Sequence, residues 1–94
     1  METNDARKWE VYMIECSDGS IYTGVTSDLA RRWLEHKGPQ GSKYTGSHVA
    51  RQLLWSEKHQ SQFFAEKREA QIKGWTRRKK LALANGDLQL LKGL

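Results

Sequence analysis

Apolar and polar positions divide the first part of the chain into three short elements. Residues 9–16 and 21–25 are apolar runs rich in β-branched and aromatic side chains, and they flank an Asp-Gly pair. This pattern is typical of a β-hairpin. Residues 28–37 place Leu29 and Trp33 four positions apart, which predicts the apolar stripe of a helix. The residues able to cap that helix are Thr26, Ser27 and Asp28.

The rest of the pattern predicts one more strand and two more helices. Gly and Pro end the first helix and open a loop to about residue 47, and residues 49–57 predict a third strand. A helix follows over 62–74, and Thr76 can cap another that ends at Asn85-Gly86, before a leucine-rich tail that closes the core. We therefore predict an α+β fold, with a small three-stranded antiparallel sheet flanked by helices in the order β-β-α-β-α-α. The expected inward stripe of the helix over 62–74 is Phe64, Ala65, Ile72 and Trp75.

The length of the hairpin turn decides which face of the sheet each tyrosine occupies. A two-residue Asp-Gly turn would put Tyr12 and Tyr22 on opposite faces. A three-residue turn with a left-handed Gly19 would pair Tyr12 with Gly24 and put both phenols on one face. Apolar patterning is compatible with both registers. We predict the second because a shared site needs it, and Gly24 would then leave room for a phosphate to approach the backbone.

The chain's 94 residues are enough for one domain with a modest core. We expect residues 1–8 to be a flexible N-terminus and residues 9–94 to form that single domain. The lone cysteine, Cys16, excludes an internal disulfide, and the sequence shows no leader and no long apolar segment. These features predict a soluble, cytoplasmic monomer without membrane contact.

Two tyrosines, an arginine and a histidine occur in a distinctive order. Tyr12 lies in the first predicted strand, Tyr22-Thr23-Gly24 in the second, and Arg32 and His36 one helical turn apart in the first helix. Their order and spacing resemble the signature of the GIY-YIG nuclease superfamily. Within it, the chain is most similar to the small single-domain bacterial branch related to the Slx-type endonuclease domain, over roughly residues 9–80.

The chain departs from the family pattern at four places. Glu10-Val11 precedes the first tyrosine in place of Gly-Ile, and Thr23 replaces the isoleucine of the second motif. Leu81 stands where several members have an asparagine, and Val25 where some have a lysine. Both tyrosines and Gly24 are retained. The absence of the asparagine and of the lysine bears on reaction rate and substrate orientation, but it removes neither the family's metal-binding glutamate, matched by Glu69, nor its phosphate-holding arginine, matched by Arg32.

The resemblance implies metal-dependent hydrolysis of DNA phosphodiester bonds, with Mg²⁺ as cofactor and Mn²⁺ as a substitute. Glu69 matches the family's metal-binding glutamate, and Arg32 is expected to hold a phosphate. Tyr22 would relay or remove a proton from the attacking water, which requires nearby positive charge because a phenol is a weak base at neutral pH. His36 is a second candidate base or orients Tyr22, and Tyr12 lines the pocket. The implied catalytic residues are therefore Tyr12, Tyr22, Arg32, His36 and Glu69.

Two neighbouring arginines of the first helix have different expected partners. Arg31 lies four positions before Glu35, a spacing that favours a surface ion pair. Arg32 lies four positions before His36, so this spacing offers it no acid. We therefore expect Arg32 to be uncompensated and available to an anion.

The net charge of +5 is concentrated in residues 66–80, which hold seven basic and two acidic side chains, while the remainder of the chain is neutral. Such a patch indicates either a polyanionic partner, here DNA, or a solvated helix face. It also keeps open a second function, that of a non-catalytic nucleic-acid binding module. Because the chain has no room for a recognition domain, DNA structure or a partner protein would have to select the site. The predicted DNA-binding residues are Lys43, Tyr44, Arg68, Lys73, Arg77, Arg78, Lys79 and Lys80.

Overall fold

The computed structural model describes residues 7–37 and 49–93. It confirms the predicted α+β fold with one three-stranded antiparallel sheet, in which β1 is the central strand and β2 and β3 are its neighbours. The predicted loop from residue 38 to 47, with Lys43 and Tyr44, lies outside the described residues, as do the first six positions. The strands are β1 (Trp9–Cys16), β2 (Ile21–Thr26) and β3 (Ala50–His59).

Residues 7–37 and 49–93 contain four helices, one more than the predicted order. The leucine-rich tail was expected only to close the core, whereas it forms a short helix packed against the helix before it. Asp87 explains the difference, because its carboxylate accepts a hydrogen bond from the backbone N–H of Leu90 and so caps the first turn. Within the described residues no helix is long and apolar enough to cross a membrane. The helices are α1 (Leu29–Lys37), α2 (Gln62–Lys73), α3 (Arg77–Ala84) and α4 (Leu88–Gly93).

The hairpin adopts the three-residue turn. Gly19 has a φ of 86°, and the Cys16 backbone N–H donates to the Ser20 carbonyl at 2.9 Å. Tyr12 consequently pairs with Gly24 across the two strands. The predicted register is confirmed, and the left-handed glycine that it requires is the residue that the sequence supplies.

The central strand β1 is buried on both faces. Val11 and Met13 point to the face covered by α2 and α3, where they pack with Ala65 and Ile72. We call this the α2 face. The opposite face, called the α1 face, is covered by α1 and holds a second cluster that consists of Tyr12, Ile14 and Ala50 with Tyr22, Leu29 and Trp33 against them.

Phe64 contradicts its predicted place in the inward stripe of α2. Ala65 and Ile72 are fully buried, but Phe64 is 53% exposed and its neighbour Phe63 63% exposed. Consecutive helix residues differ in direction by about 100°, so Phe64 cannot share the buried direction of Ala65. The Ser61 hydroxyl instead fixes the Phe64 backbone by accepting its N–H at 3.2 Å.

Candidate active site

Three aromatic rings form a cluster on the α1 face. Tyr12 comes from the centre of β1, Tyr22 from β2, and His36 from the last turn of α1. The ring centroids of Tyr12 and Tyr22 are 6.1 Å apart, those of Tyr12 and His36 6.0 Å, and those of Tyr22 and His36 5.1 Å. The Tyr12 hydroxyl also lies 3.1 Å from His36 Nε2, within hydrogen-bonding distance. The two phenols and the imidazole therefore share one small volume.

Gly24 makes this cluster possible by lacking a side chain. A Cβ atom placed there would lie 2.6 Å from the Tyr12 hydroxyl oxygen and 2.9 Å from the Tyr22 ring. The phenols thus occupy the space above Gly24, and the expectation that a phosphate approaches the backbone there is wrong. The glycine is required by side-chain packing, because any larger residue would displace Tyr12.

The electrostatic surroundings of Tyr12 bring the remaining predicted residues together. Burial raises the pKa of Tyr12 well above its ordinary value, and the neighbouring Tyr22 raises it further. Arg32 opposes this rise, while a hydrogen bond to Tyr22 and the negative charge of Glu69 add to it. Tyr12 therefore lies within electrostatic reach of both Arg32 and Glu69, and its hydroxyl remains protonated at neutral pH.

His36 is held in its neutral form. Burial lowers the pKa of the imidazole, Arg32 one turn earlier lowers it further, and Glu35 opposes the change. A neutral imidazole can donate from one ring nitrogen and accept at the other. His36 is thus able to hold the Tyr12 hydroxyl in place without adding a positive charge.

Arg32 has an acidic neighbour that the sequence spacing did not suggest. Its guanidinium lies 3.5 Å from the Glu35 carboxylate, and Arg31 reaches the same carboxylate at 3.3 Å. The expected Arg31 pair is confirmed, but the expectation that Arg32 is uncompensated is wrong, because residues three apart are also neighbours on a helix. One carboxylate shared by two guanidiniums leaves net positive charge. The Arg32 side chain is 44% exposed and accessible to an anion.

Glu69, the predicted metal ligand, lies on α2 with 21% of its side chain exposed. Its carboxylate is 3.2 Å from the ammonium group of Lys73, one turn later. The part of the chain that the structure describes contains no group of three or more His, Cys, Asp or Glu side chains arranged to hold a metal ion. Any metal at Glu69 would therefore take most of its ligands from water and from substrate.

Arg68 and Arg77, both predicted to bind DNA, have partners within the fold. Arg68 donates to the Glu57 carboxylate at 3.0 Å and to the Gln71 side chain at 2.7 Å. Arg77 donates to the Gly19 carbonyl at 3.0 Å and so ties the start of α3 to the hairpin turn. The sequence indicated that Arg68 needed a partner near the inner face of α2, but it did not single out Glu57 on β3.

The remaining predicted basic residues on α3 make no ion pair within the described residues. Lys79 lies over the Trp75 ring, with its ammonium 4.3 Å from the centroid. Arg78 is exposed and Lys80 half-buried, and neither makes an ion pair with any other residue in the described ranges. The start of α3 thus presents a local positive charge to solvent.

Comparison with known proteins agrees with this geometry. The GIY-YIG catalytic domain family matches residues 8–82, which include both strands of the hairpin and all five predicted catalytic residues. The chain therefore belongs to the GIY-YIG family, a family of nuclease domains.

Relatives of similar size share most of the chain. It is 46% identical to a UPF0213 protein of Haloquadratum walsbyi over 79% of this chain and 83% of the relative. It is 44% identical to a UPF0213 protein of Staphylococcus aureus over 78% and 89%. The solution NMR structure of a UPF0213 protein from Bacillus halodurans is 40% identical, covers 82% of each chain, and superposes with a TM-score of 0.52.

Proposed function

We propose that the protein is a divalent-metal-dependent DNA endonuclease that hydrolyses phosphodiester bonds in single-stranded, flapped or branched DNA, in repair or recombination. The observation that carries this proposal is the close cluster of Tyr12, Tyr22 and His36 on the α1 face, with Arg32 and Glu69 near enough to act electrostatically on the Tyr12 hydroxyl. Clusters of mutually perturbed ionisable groups are typical of catalytic sites.

The two phenols have different tasks in this proposal. Tyr12 stays protonated and donates its hydrogen bond to Tyr22, while neutral His36 donates from Nε2 to the Tyr12 oxygen. The chain of donors then ends at the Tyr22 oxygen, which accepts the hydrogen bond from Tyr12. Tyr22 is therefore the phenol that removes a proton from the attacking water, and Tyr12 and His36 position it.

Arg32 and Glu69 complete the site. The exposed guanidinium of Arg32 holds the scissile phosphate and balances the charge that grows on its oxygens. The partly exposed Glu69 carboxylate fits a Mg²⁺ ion, which prefers oxygen ligands and keeps several waters when one or two carboxylates bind it. Such an ion would supply charge stabilisation to the departing oxygen. A metal ion would displace the Lys73 ammonium from the Glu69 carboxylate. Because Glu69 supplies only one ligand group, we expect the ion to bind more tightly when a substrate phosphate is present.

Removing single charges from the site tests the proposal. Purified protein is incubated with single-stranded, duplex, flapped and four-way DNA, with Mg²⁺, Mn²⁺ or chelator. We expect metal-dependent nicking that Glu69→Gln and Arg32→Ala each lower by about 100-fold or more, since each removes charge stabilisation of the transition state. Glu66→Gln, an exposed acid on the same helix, is the matched control and should retain activity. Equal nicking by the wild type and both site variants would refute the proposal.

A second function, non-catalytic binding of nucleic acid, is favoured by one observation. The positive charge at the start of α3 lies outside the aromatic cluster and includes Arg78 and Lys80, which lack acidic partners in the described ranges. This function predicts salt-dependent binding without cleavage. Lys80→Ala should weaken binding to all sequences alike. It should also reduce the slope of log affinity against log salt concentration by the amount expected for about one phosphate contact. Binding that is insensitive to salt would contradict both functions.

A further inference from the structure

A cleft of about 300 Å³ lies beside the aromatic cluster at the end of the sheet where β1 begins and β2 ends. It shares Arg32 with the candidate active site, and it has no other residue in common with the predicted catalytic set. This volume lies at the lower end of the range for small-molecule sites. The wall residues that matter here are Trp9, Val25, Ser27, Arg31, Arg32 and Gln62.

The charge around the cleft suits an anion. Residues at the starts of α1 and α2 line the cleft, and the first turns of both helices contain no acid. Arg31 and Arg32 add two guanidiniums, which Glu35 only partly balances. Asp28 in the wall caps α1 by accepting the Arg31 backbone N–H at 3.1 Å and keeps its negative charge, so an anion in the cleft would be held by direct contact with the guanidiniums rather than by an excess of positive charge.

The remaining walls suit a nucleobase. Trp9 is half-buried and offers a large aromatic surface, and Val25 beside it is apolar. The exposed Gln62 side chain donates from Nε2 to the Glu66 carboxylate at 3.0 Å, and its amide oxygen can accept a hydrogen bond from the edge of a base. A phosphate, an aromatic ring and a polar edge occur together in a nucleotide, and stacking on aromatic side chains is a common way to hold an unpaired base.

We propose that this cleft binds an unpaired nucleotide next to the phosphate held by Arg32. The proposal rests on the proposed nuclease function and specifies its substrate. A base that is paired within a duplex cannot enter the cleft, so the enzyme would require at least one unpaired nucleotide beside the cut. Single strands, flaps and branch points meet this requirement, whereas a continuous duplex does not.

Binding without metal tests the cleft independently of cleavage. Fluorescence anisotropy compares a single-stranded oligothymidylate with an oligomer of the same length that carries the same phosphates but no bases. The wild type should bind the base-bearing strand about fivefold or more tightly, the effect expected for one stacked base. Ser27→Leu, which fills the cleft from an exposed position, should abolish this preference. Gln60→Leu, an exposed substitution outside the cleft, should preserve the preference.

Trp9 provides a second test of the same cleft. Trp9→Phe keeps an aromatic face and should retain most of the preference, whereas Trp9→Leu should lose it while circular dichroism reports an unchanged fold. An equal preference in the wild type and Ser27→Leu, or no preference in the wild type, would overturn the proposal. If the wild type prefers the base-bearing strand, Ser27→Leu does not, and no form of the protein nicks DNA, the cleft proposal stands and the nuclease proposal is refuted. If the protein nicks DNA but shows no preference for the base-bearing strand, the nuclease proposal stands and the cleft proposal is refuted.

Discussion

Replacing Gly24 by alanine perturbs the aromatic cluster directly. The new Cβ would lie 2.6 Å from the Tyr12 hydroxyl oxygen, 2.7 Å from the ring carbon that carries it, and 2.9 Å from the Tyr22 ring. Ordinary contact begins at 3.4 Å, so the Tyr12 hydroxyl must retreat by about 0.8 Å. Tyr12 is only 1% exposed and has little space into which it can move. A shift of this size is enough to break its hydrogen bond to His36.

The cost to stability follows from two opposing effects. Overpacking of a buried site costs about 1–3 kcal/mol. Gly24 does not have a positive φ, so alanine fits its backbone and restores about 0.4–1 kcal/mol by restricting the unfolded chain. We expect a net loss of about 1–2 kcal/mol, which lowers the melting temperature of a domain of this size by about 5–15 °C. Nicking should fall about 10–100-fold, because Tyr12 and Tyr22 are both displaced.

Urea unfolding and the nicking assay measure the two effects. Gly74→Ala is the matched control, because its Cβ would meet nothing closer than 3.6 Å; it should keep wild-type nicking and raise the free energy of unfolding by about 0.4–1 kcal/mol. Tyr12→Phe removes the atom nearest the new methyl group. Gly24→Ala should therefore cost less stability in the Tyr12→Phe background than in the wild type. Wild-type stability and activity in Gly24→Ala would refute the packing argument, and equal costs in both backgrounds would show that the obstacle is a ring carbon and not the Tyr12 hydroxyl.

Two further predictions concern stability. The pKa of His36 is lower in the folded state than in the unfolded chain, so the unfolded chain takes up a proton more readily. The free energy of unfolding should therefore fall as the pH drops below about 6.5. It should level off once the folded imidazole is also protonated. Urea titrations at several pH values should show a smaller fall for His36→Gln, and an identical fall would contradict the assignment. The Thr23 hydroxyl is buried without a hydrogen-bond partner in the described residues, so Thr23→Val should raise the free energy of unfolding by about 1 kcal/mol. A loss of stability in that variant would show that the hydroxyl is hydrogen-bonded, for instance to water.

Local sequence signals predicted most of the fold. Gly19 favours the three-residue turn that sets the register, and Thr76 caps α3 by accepting the Lys79 backbone N–H at 3.2 Å. These signals act within a few residues and do not depend on the rest of the fold. The choice of register still required a functional argument, because the apolar pattern of the strands fits either one.

Contacts between distant elements could not be predicted in the same way. The partner of Arg68 is Glu57 on β3, and the partner of Arg77 is the Gly19 carbonyl, 58 positions earlier in the chain. Phe64 was assigned to the core by its hydrophobicity, but the direction of α2 is set by Ala65 and Ile72. The five predicted catalytic residues came from family resemblance, since no local pattern relates Glu69 to Tyr12.

The two faces of β1 have different roles, because one carries most of the apolar core and the other carries the aromatic cluster. Both phenols, Arg32 and His36 belong to elements of the α1 face, whereas the α2 face contains the larger apolar core. Substitutions that improve packing around Met13 or the unsatisfied Thr23 are expected to raise the stability of the protein without reshaping the cluster, provided that α2 still presents Glu69 and that Trp9 and Val25, which line the cleft, are kept. A laboratory seeking a heat-resistant variant should therefore randomise the α2 face first and leave the other side of the same strand untouched.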